Sequence, residues 1–307
     1  MRKLILKILL FVVILLIPLC IADYIKTKEY RSRKHYPFST FNDIVDGKLN
    51  SDTWILGSSR AWVQYNPRIL DSILDISSYN LGLNAQFIFL NLQSFQIAQA
   101  YNSCPKYVLL DLFYESLTMD EAPISRYFYM PYIFKHKLRK IIKHNQGINP
   151  FYFYLPYYRY YSEKGNDVWF VNEIGGYKGF MPKDAKWDDE NLSSTDTVHY
   201  KKESDAIKLL DDFIAECKKY NIDVILIHSP FYREGFEKIQ NHQEMMTMFK
   251  NIADRHHIPF LYYTDDPICY DTTYFYNAMH LNARGADVFS TKLAHDLDSL
   301  NLIPARK

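Results

Sequence analysis

The sequence predicts an α/β fold: a three-layer α/β/α sandwich around a parallel sheet, preceded by one N-terminal transmembrane helix. Three observations carry this. Short apolar runs alternate with longer amphipathic stretches through most of the chain, glycines stand where the first runs end, and Lys106 to Phe113 (KYVLLDLF) is apolar almost without interruption. A strand with one solvated face would alternate polar and apolar residues, so a continuous run marks a strand covered on both sides.

At the N-terminus, Leu4 to Ala22 reads LILKILLFVVILLIPLCIA, with Lys7 its one charge. That stretch is long enough to cross the ~30 Å hydrocarbon layer as a helix. Residues 1–24 are therefore read as a membrane anchor or signal segment. The anchor is favoured over a cleaved signal peptide because Cys20-Ile21-Ala22 is a poor small-x-small cleavage site. Lys26, Lys28, Arg31, Arg33 and Lys34 outnumber Arg2, Lys3 and Lys7, and by charge counting they favour a cytoplasmic C-terminus. Against that, a two-residue basic head before an apolar run has the layout of a signal anchor.

Residues 25–50 form a basic linker and lead-in, and residues 51–307 the α/β domain. In that domain Asp52 to Gly57 (DTWILG) is the first strand, and Asn66 to Leu74 opens as a helix with Pro67 at its first position. Ser78 to Leu81 is a second strand, Ala85 to Ala100 a helix, and Lys106 to Phe113 the third strand. After an aromatic insertion at about 114–200 the alternation resumes. A helix at Glu203 to Tyr220 leads to a strand at Asp223 to His228, and a helix around Phe236 to His256 to a strand at Pro259 to Tyr263. A helix from Ala283 to Leu300 closes the domain.

A chain of 307 residues, 48% of them hydrophobic, can bury one substantial core. A net charge of +1 gives no broad basic field, so nucleic acid is not an expected partner. Outside the apolar run, Cys104, Cys217 and Cys269 are odd in number and spaced for neither a disulfide framework nor a zinc site, and they are expected to pack as small hydrophobes. His228, His256 and His257 lack ligand-like companions, and no metal, nucleotide or other cofactor motif is visible.

In a parallel α/β sheet, ligands bind at the carboxyl ends of the strands. The first such loop is Gly57-Ser58-Ser59-Arg60. Its glycine permits a sharp turn, and a serine at the entrance of the following helix offers a backbone N–H beside its own hydroxyl. The second loop, Asn80-Leu81-Gly82-Leu83-Asn84, brings another glycine from the neighbouring strand. Near the far end, Asn277-Ala278-Met279-His280-Leu281-Asn282 sets an imidazole just before the last helix, with Asn282 as its N-cap. His228-Ser229-Pro230 also stands at a strand end, where it could line a pocket.

Taken in order from Asp52 to Leu300, these pieces resemble the SGNH (GDSL-like) hydrolase superfamily, in particular its cell-envelope branch related to the D-alanyl transfer protein and polysaccharide O-acetyltransferases. Gly57-Ser58-Ser59 matches the family's Gly-Asp-Ser block, Gly82 its oxyanion glycine, and Asn277 to His280 its Asp-x-x-His block. The resemblance implies a flavodoxin-like sheet with Ser59 as nucleophile, His280 as general base and then general acid, and the N–H groups of Ser59 and Gly82 as oxyanion donors. It further implies ester or acyl-transfer chemistry on an envelope glycan or acylated small molecule, an extracytoplasmic domain, and a membrane-bound O-acyltransferase as a partner.

Two departures stand out. Asn277 replaces the usual Asp and cannot supply a negative charge, so Asp271 is a candidate substitute carboxylate. After the third strand, Asp111-Leu112-Phe113-Tyr114-Glu115 replaces Gly-x-Asn-Asp, removing the family's side-chain amide donor. They keep open a catalytically weak glycan-binding or scaffold protein of the same fold. Ser58 competes with Ser59 for the nucleophile's role; Arg60 and Asn84 join the expected pocket, Arg60 read first as a structural salt bridge. The insertion contains the basic run Lys135 to Lys140 and the aromatic run Phe151 to Tyr161. Such a surface suits glycan rings, the membrane interface or a satellite core.

Overall fold

The computed structural model describes residues 1–34, 36–84, 87–118, 129–143, 149–161, 176–188 and 197–305. Much of the insertion, including the stretches 119–128, 144–148, 162–175 and 189–196, lies outside the described residues, as do Ala85 and Gln86 of the expected second helix.

Five strands form one sheet: β1 (Thr53–Leu56), β2 (Ser78–Asn80), β3 (Tyr107–Asp111), β4 (Asp223–His228) and β5 (Phe260–Tyr262). Their spatial order is β2-β1-β3-β4-β5, and every neighbouring pair is parallel. This flavodoxin-like order reverses direction between β1 and β3, which places a crevice at the carboxyl ends of those two strands.

The period-two alternation of side chains separates two cores. Trp54, Leu56, Val108, Leu110, Val224 and Leu226 pack on one face of the sheet, while Ile55, Leu109, Ile225 and Ile227 pack on the other. The first core includes residues of α1 (Arg2–Ser32), α2 (Phe38–Val45), α5 (Ile88–Tyr101), α6 (His136–Ile142), α7 (Ser204–Lys219) and α8 (His242–His256). The second includes α4 (Pro67–Leu74) and α9 (Ala283–Ser299), with α3 (Ser59–Gln64) between the strand ends and α9. The result is the expected three layers.

Local chemistry explains several boundaries. Asn66 Oδ1 accepts from Arg68 N with Pro67 in the first turn of α4, and Asn282 Oδ1 accepts from Gly285 N at the start of α9. The stretch expected as one helix around Phe236 to His256 is instead divided into a short helix at Arg233–Glu237 and α8. Between them, backbone groups of Lys238 and Gln240 pair with Val198, and the Asn241 amide exchanges hydrogen bonds with the Tyr200 backbone. Those groups are committed to the returning insertion rather than to a helix.

The residues before α9 form a hairpin where the sequence reads as a loop. β6 (Phe275–Asn277) and β7 (His280–Leu281) pair antiparallel. Asn277 Oδ1 accepts from Met279 N, an Asx turn that reverses the chain. Of the cysteines, Cys217 and Cys269 are buried as expected; Cys104 is exposed, a correction that follows from its place in the turn leading to β3.

Candidate active site

β1 delivers Ser59 to the crevice. Gly57 has φ +148°, and a Cβ there would stand 2.7 Å from the Ala61 Cβ and 3.0 Å from the Asp111 Cβ. Only glycine allows the chain to leave β1 and enter α3 this tightly. Ser58 is the residue before α3 and Ser59 its first residue, so the Ser59 N–H has no acceptor within the helix.

Ser59 Oγ lies 2.7 Å from His280 Nε2, across 221 residues of chain. His280 Nδ1 lies 2.9 Å from Asn277 Oδ1. The tautomer follows from the turn. Because Met279 N–H can only donate, the atom that faces it on Asn277 must be the amide oxygen, so His280 Nδ1 must carry a proton and donate to that oxygen. Nε2 is then unprotonated, and the Ser59 hydroxyl donates to it. Tyr276 stacks on the imidazole at 5.3 Å between centroids with planes 6° apart.

Burial drives the His280 pKa down to about 3, and the positive charges of Arg60 and Lys183 add to that effect. The ring is therefore neutral at neutral pH and free to accept the serine proton. It is also a weak base, which reduces the driving force for that transfer.

Under the pair lies a buried polar network. Arg60, 1% exposed, donates from Nη2 to Ser229 O at 2.5 Å and to Ser229 Oγ at 2.9 Å, and from Nη1 to Met279 O at 3.3 Å. Its Nε faces Asp111 Oδ2 at 3.6 Å, and its guanidinium lies 4.6 Å from the Phe113 ring centroid. Asp111 Oδ1 accepts from the Tyr65 hydroxyl at 2.6 Å and from Ser229 N at 3.1 Å. Gln64 bridges the network to β7, its Nε2 donating to Ser229 Oγ and its Oε1 accepting from Leu281 N. Arg60 is thus the buried salt bridge that the sequence favours, and through Met279 it also holds the hairpin that carries His280.

A cleft opens over Ser59, lined by Ser58, Arg60, Phe87, Phe113, Glu115 and His280. Its volume is about 50 Å³, room for a few water molecules. Glu115 is a lining residue that strand-end reasoning passed over. It sits in the 3-10 turn that follows β3, beside β1, and burial raises its carboxyl pKa against the opposing pull of Arg60. The signal for it was its distance from a strand end, four residues beyond Asp111.

Three expected residues stand elsewhere. Gly82 N donates to Asn80 Oδ1 at 2.9 Å, so it is not free to bind an oxyanion. A Cβ at this position would lie 2.5 Å from Trp62 N, so glycine is required there by the close approach of α3. Asp271 is exposed and caps the next turn, accepting from Thr273 N. Both His280 ring nitrogens are occupied by Ser59 and Asn277, and Asp271 does not substitute for the missing carboxylate. Asn84 N donates to the Tyr36 hydroxyl, and Phe87, the N-cap of α5, lines the cleft in its place.

No protein-family model matches the chain, and no curated protein matches it. Among solved structures, a protein designated an acylhydrolase from Bacteroides fragilis is 13% identical at a TM-score of 0.42, over 85% of this chain and 94% of its own. A GDSL-like lipase from Bacteroides thetaiotaomicron is 12% identical at a TM-score of 0.41, over 81% of this chain and 88% of its own. A family two carbohydrate esterase from Clostridium thermocellum, in complex with cellohexaose, is 8% identical at a TM-score of 0.40, over 83% of this chain and 66% of its own.

Proposed function

We propose that this chain is a membrane-anchored serine esterase or O-acyltransferase of the SGNH type, acting on a small acyl ester, acetyl first, of an extracytoplasmic polysaccharide. The observation that carries the reading is the Ser59 hydroxyl set 2.7 Å from an unprotonated imidazole nitrogen whose partner nitrogen is held by Asn277. Ser59 Oγ attacks the ester carbonyl as its proton passes to His280 Nε2, and the Ser59 N–H meets the developing oxyanion. Collapse of the tetrahedral intermediate expels the alkoxide, which takes the proton back from His280, leaving acyl-Ser59. Water or a second hydroxyl then repeats the sequence in reverse. The narrowness of the cleft supports a short acyl group.

Retention of the anchor has its own support. α1 continues without a break past the apolar stretch, and the domain grips it there through Asp23 and Thr27. Fluorophosphonate labelling of the full chain tests the enzymatic reading: label is expected on wild type and Ser58→Ala and lost in Ser59→Ala. Label that survives in Ser59→Ala overturns the assignment of the nucleophile.

A second reading, a catalytically weak glycan-binding protein of this fold, is favoured by the neutral Asn277 and the committed Gly82 N–H. Asn277→Asp separates the two. A carboxylate at this position favours the imidazolium, so an enzyme should gain at least about tenfold in kcat/KM for p-nitrophenyl acetate, well inside the ~10⁴ that the reverse exchange costs in serine proteases. No turnover in either form supports the binder.

The pH profile gives a further expectation. A base must be neutral to act, and the depressed His280 pKa keeps it neutral well below the ordinary histidine range. kcat/KM of the wild type should therefore stay level from neutral pH into the acid range, falling only as pH approaches about 3. In Asn277→Asp the same fall should occur at higher pH, because the new negative charge raises the histidine pKa.

A further inference from the structure

Beside the end of the apolar helix the domain exposes five large hydrophobic residues. Phe134 is 53% exposed, Phe151 56%, Tyr154 68%, Leu155 42% and Tyr161 62%. Neighbours in the same run are not like this, since Tyr152, Phe153 and Tyr160 are buried and belong to the first core. The aromatic run is therefore divided by position into a packed set and a solvent-exposed set. Clusters of exposed aromatic surface on a protein mark interaction sites.

Their position relative to α1 identifies it. Leu4 to Ala22 covers about 28 Å at ~1.5 Å per residue, the thickness of the hydrocarbon layer, so Asp23 falls at its edge. Asp23 is buried by the domain. Its Oδ1 accepts from Arg159 Nη2 at 2.6 Å and its Oδ2 from Tyr157 N at 2.8 Å, while Thr27 Oγ1 bonds the Tyr160 hydroxyl at 2.8 Å. The backbone at Tyr157 thus stands level with the edge of the span. Tyr154 and Leu155 precede it by three and two residues, within roughly 10 Å at ~3.3 Å per residue. Phe134 lies against Arg159, its ring centroid 4.3 Å from the guanidinium carbon. Arg139 reaches over Phe153 and Tyr154 at 5.0 and 4.9 Å, and Lys135, His136 and Lys140 beside it are exposed.

We propose that Phe134, Phe151, Tyr154, Leu155 and Tyr161 form a membrane-seating surface that rests in the headgroup region of the bilayer crossed by α1, with the adjoining basic helix α6 facing lipid phosphates. Aromatic rings with polar tips gather at that depth, and cationic side chains next to them gain from anionic headgroups. The buried Asp23–Arg159 pair fixes the domain to the helix as it leaves the membrane, so the domain is held at one tilt instead of swinging on a tether. Its cleft then stands at a constant height above the lipid.

The inference rests on α1 being a retained span, which resistance of the full chain to carbonate extraction reads independently. The surface itself is tested on the full chain in nanodiscs of mixed neutral and anionic lipid, with exposed Cys20 and Cys104 changed to Ser. Spin labels are placed at Phe151→Cys, Tyr154→Cys and, as a control on the edge strand β5, Tyr262→Cys. The expected result is collision with dissolved oxygen exceeding collision with a water-soluble nickel chelate at 151 and 154, and the reverse at 262. Labels at 151 and 154 as accessible to nickel as the control overturn the proposal. So does shielding from both reagents, which would indicate a second copy covering the patch. Arg159→Ala should weaken the oxygen preference at 154 while the chain remains in the membrane.

Discussion

On the proposed function, His280→Ala is expected to lower kcat/KM for a small ester by at least about 10³-fold, with the fold retained. General acid–base groups contribute about 10² to 10⁴, and a base that activates a nucleophile sits toward or beyond the top of that range because both members of the pair fail together. Here no second group can take over. Asn277 has no basic atom, Asp271 is turned to its own helical cap, and among the described residues lining the cleft the other acid–base side chain is Glu115, attached to a different strand. Adding Ser59→Ala to His280→Ala should cost little more than either change alone, since both remove the same proton-coupled attack. Stopped assays on the single and double variants check this, with circular dichroism confirming that loss of the Tyr276–His280 stack leaves the α/β fold intact. Additive losses would mean that serine and histidine serve separate functions.

The layers were legible in the sequence because they depend on patterns within single elements, whereas the pairing of Ser59 with His280 was implied by the family resemblance and not by any local pattern. Unbroken apolar strands, an Asn-Pro helix start and an asparagine before α9 each act over a few residues, and the structure realises them where the sequence places them. The features that were missed depend on contacts between elements. Gly82 reads as an oxyanion glycine until α3 is seen to press against it, at which point its N–H is already spent on Asn80. Asp271 is near His280 in sequence, but the Asx turn at Asn277 delivers an amide to the ring instead. Ser229 looked like a strand-end residue of a possible pocket; its role as the hub between Arg60, Gln64 and Asp111 needs β3, β4 and α3 together. The split of the aromatic run into packed and exposed residues likewise depends on contacts between elements, among them those of Arg159 and Tyr160 with α1, and periodicity in so short a segment cannot report that.

The network under the cleft carries the largest expected stability effect. Asp111→Ala strips the acceptor from the Tyr65 hydroxyl and from Ser229 N, and it leaves the Arg60 guanidinium buried without its counter-ion. Breaking a buried ion pair from one side costs about 3–5 kcal/mol, against a total stability of about 5–15 kcal/mol for a domain. The thermal midpoint of the full chain in detergent should therefore fall by roughly 10 °C or more. Asp111→Asn keeps an oxygen for Tyr65 and Ser229 and loses only the charge, so its midpoint should lie between wild type and alanine. Combining Arg60→Met with Asp111→Leu removes both charges, and the double variant should recover much of the loss. Recovery of stability without recovery of esterase activity would separate two roles of Arg60: neutralising Asp111, which an apolar pair can replace, and holding the Met279 carbonyl so that His280 stays within reach of Ser59, which it cannot.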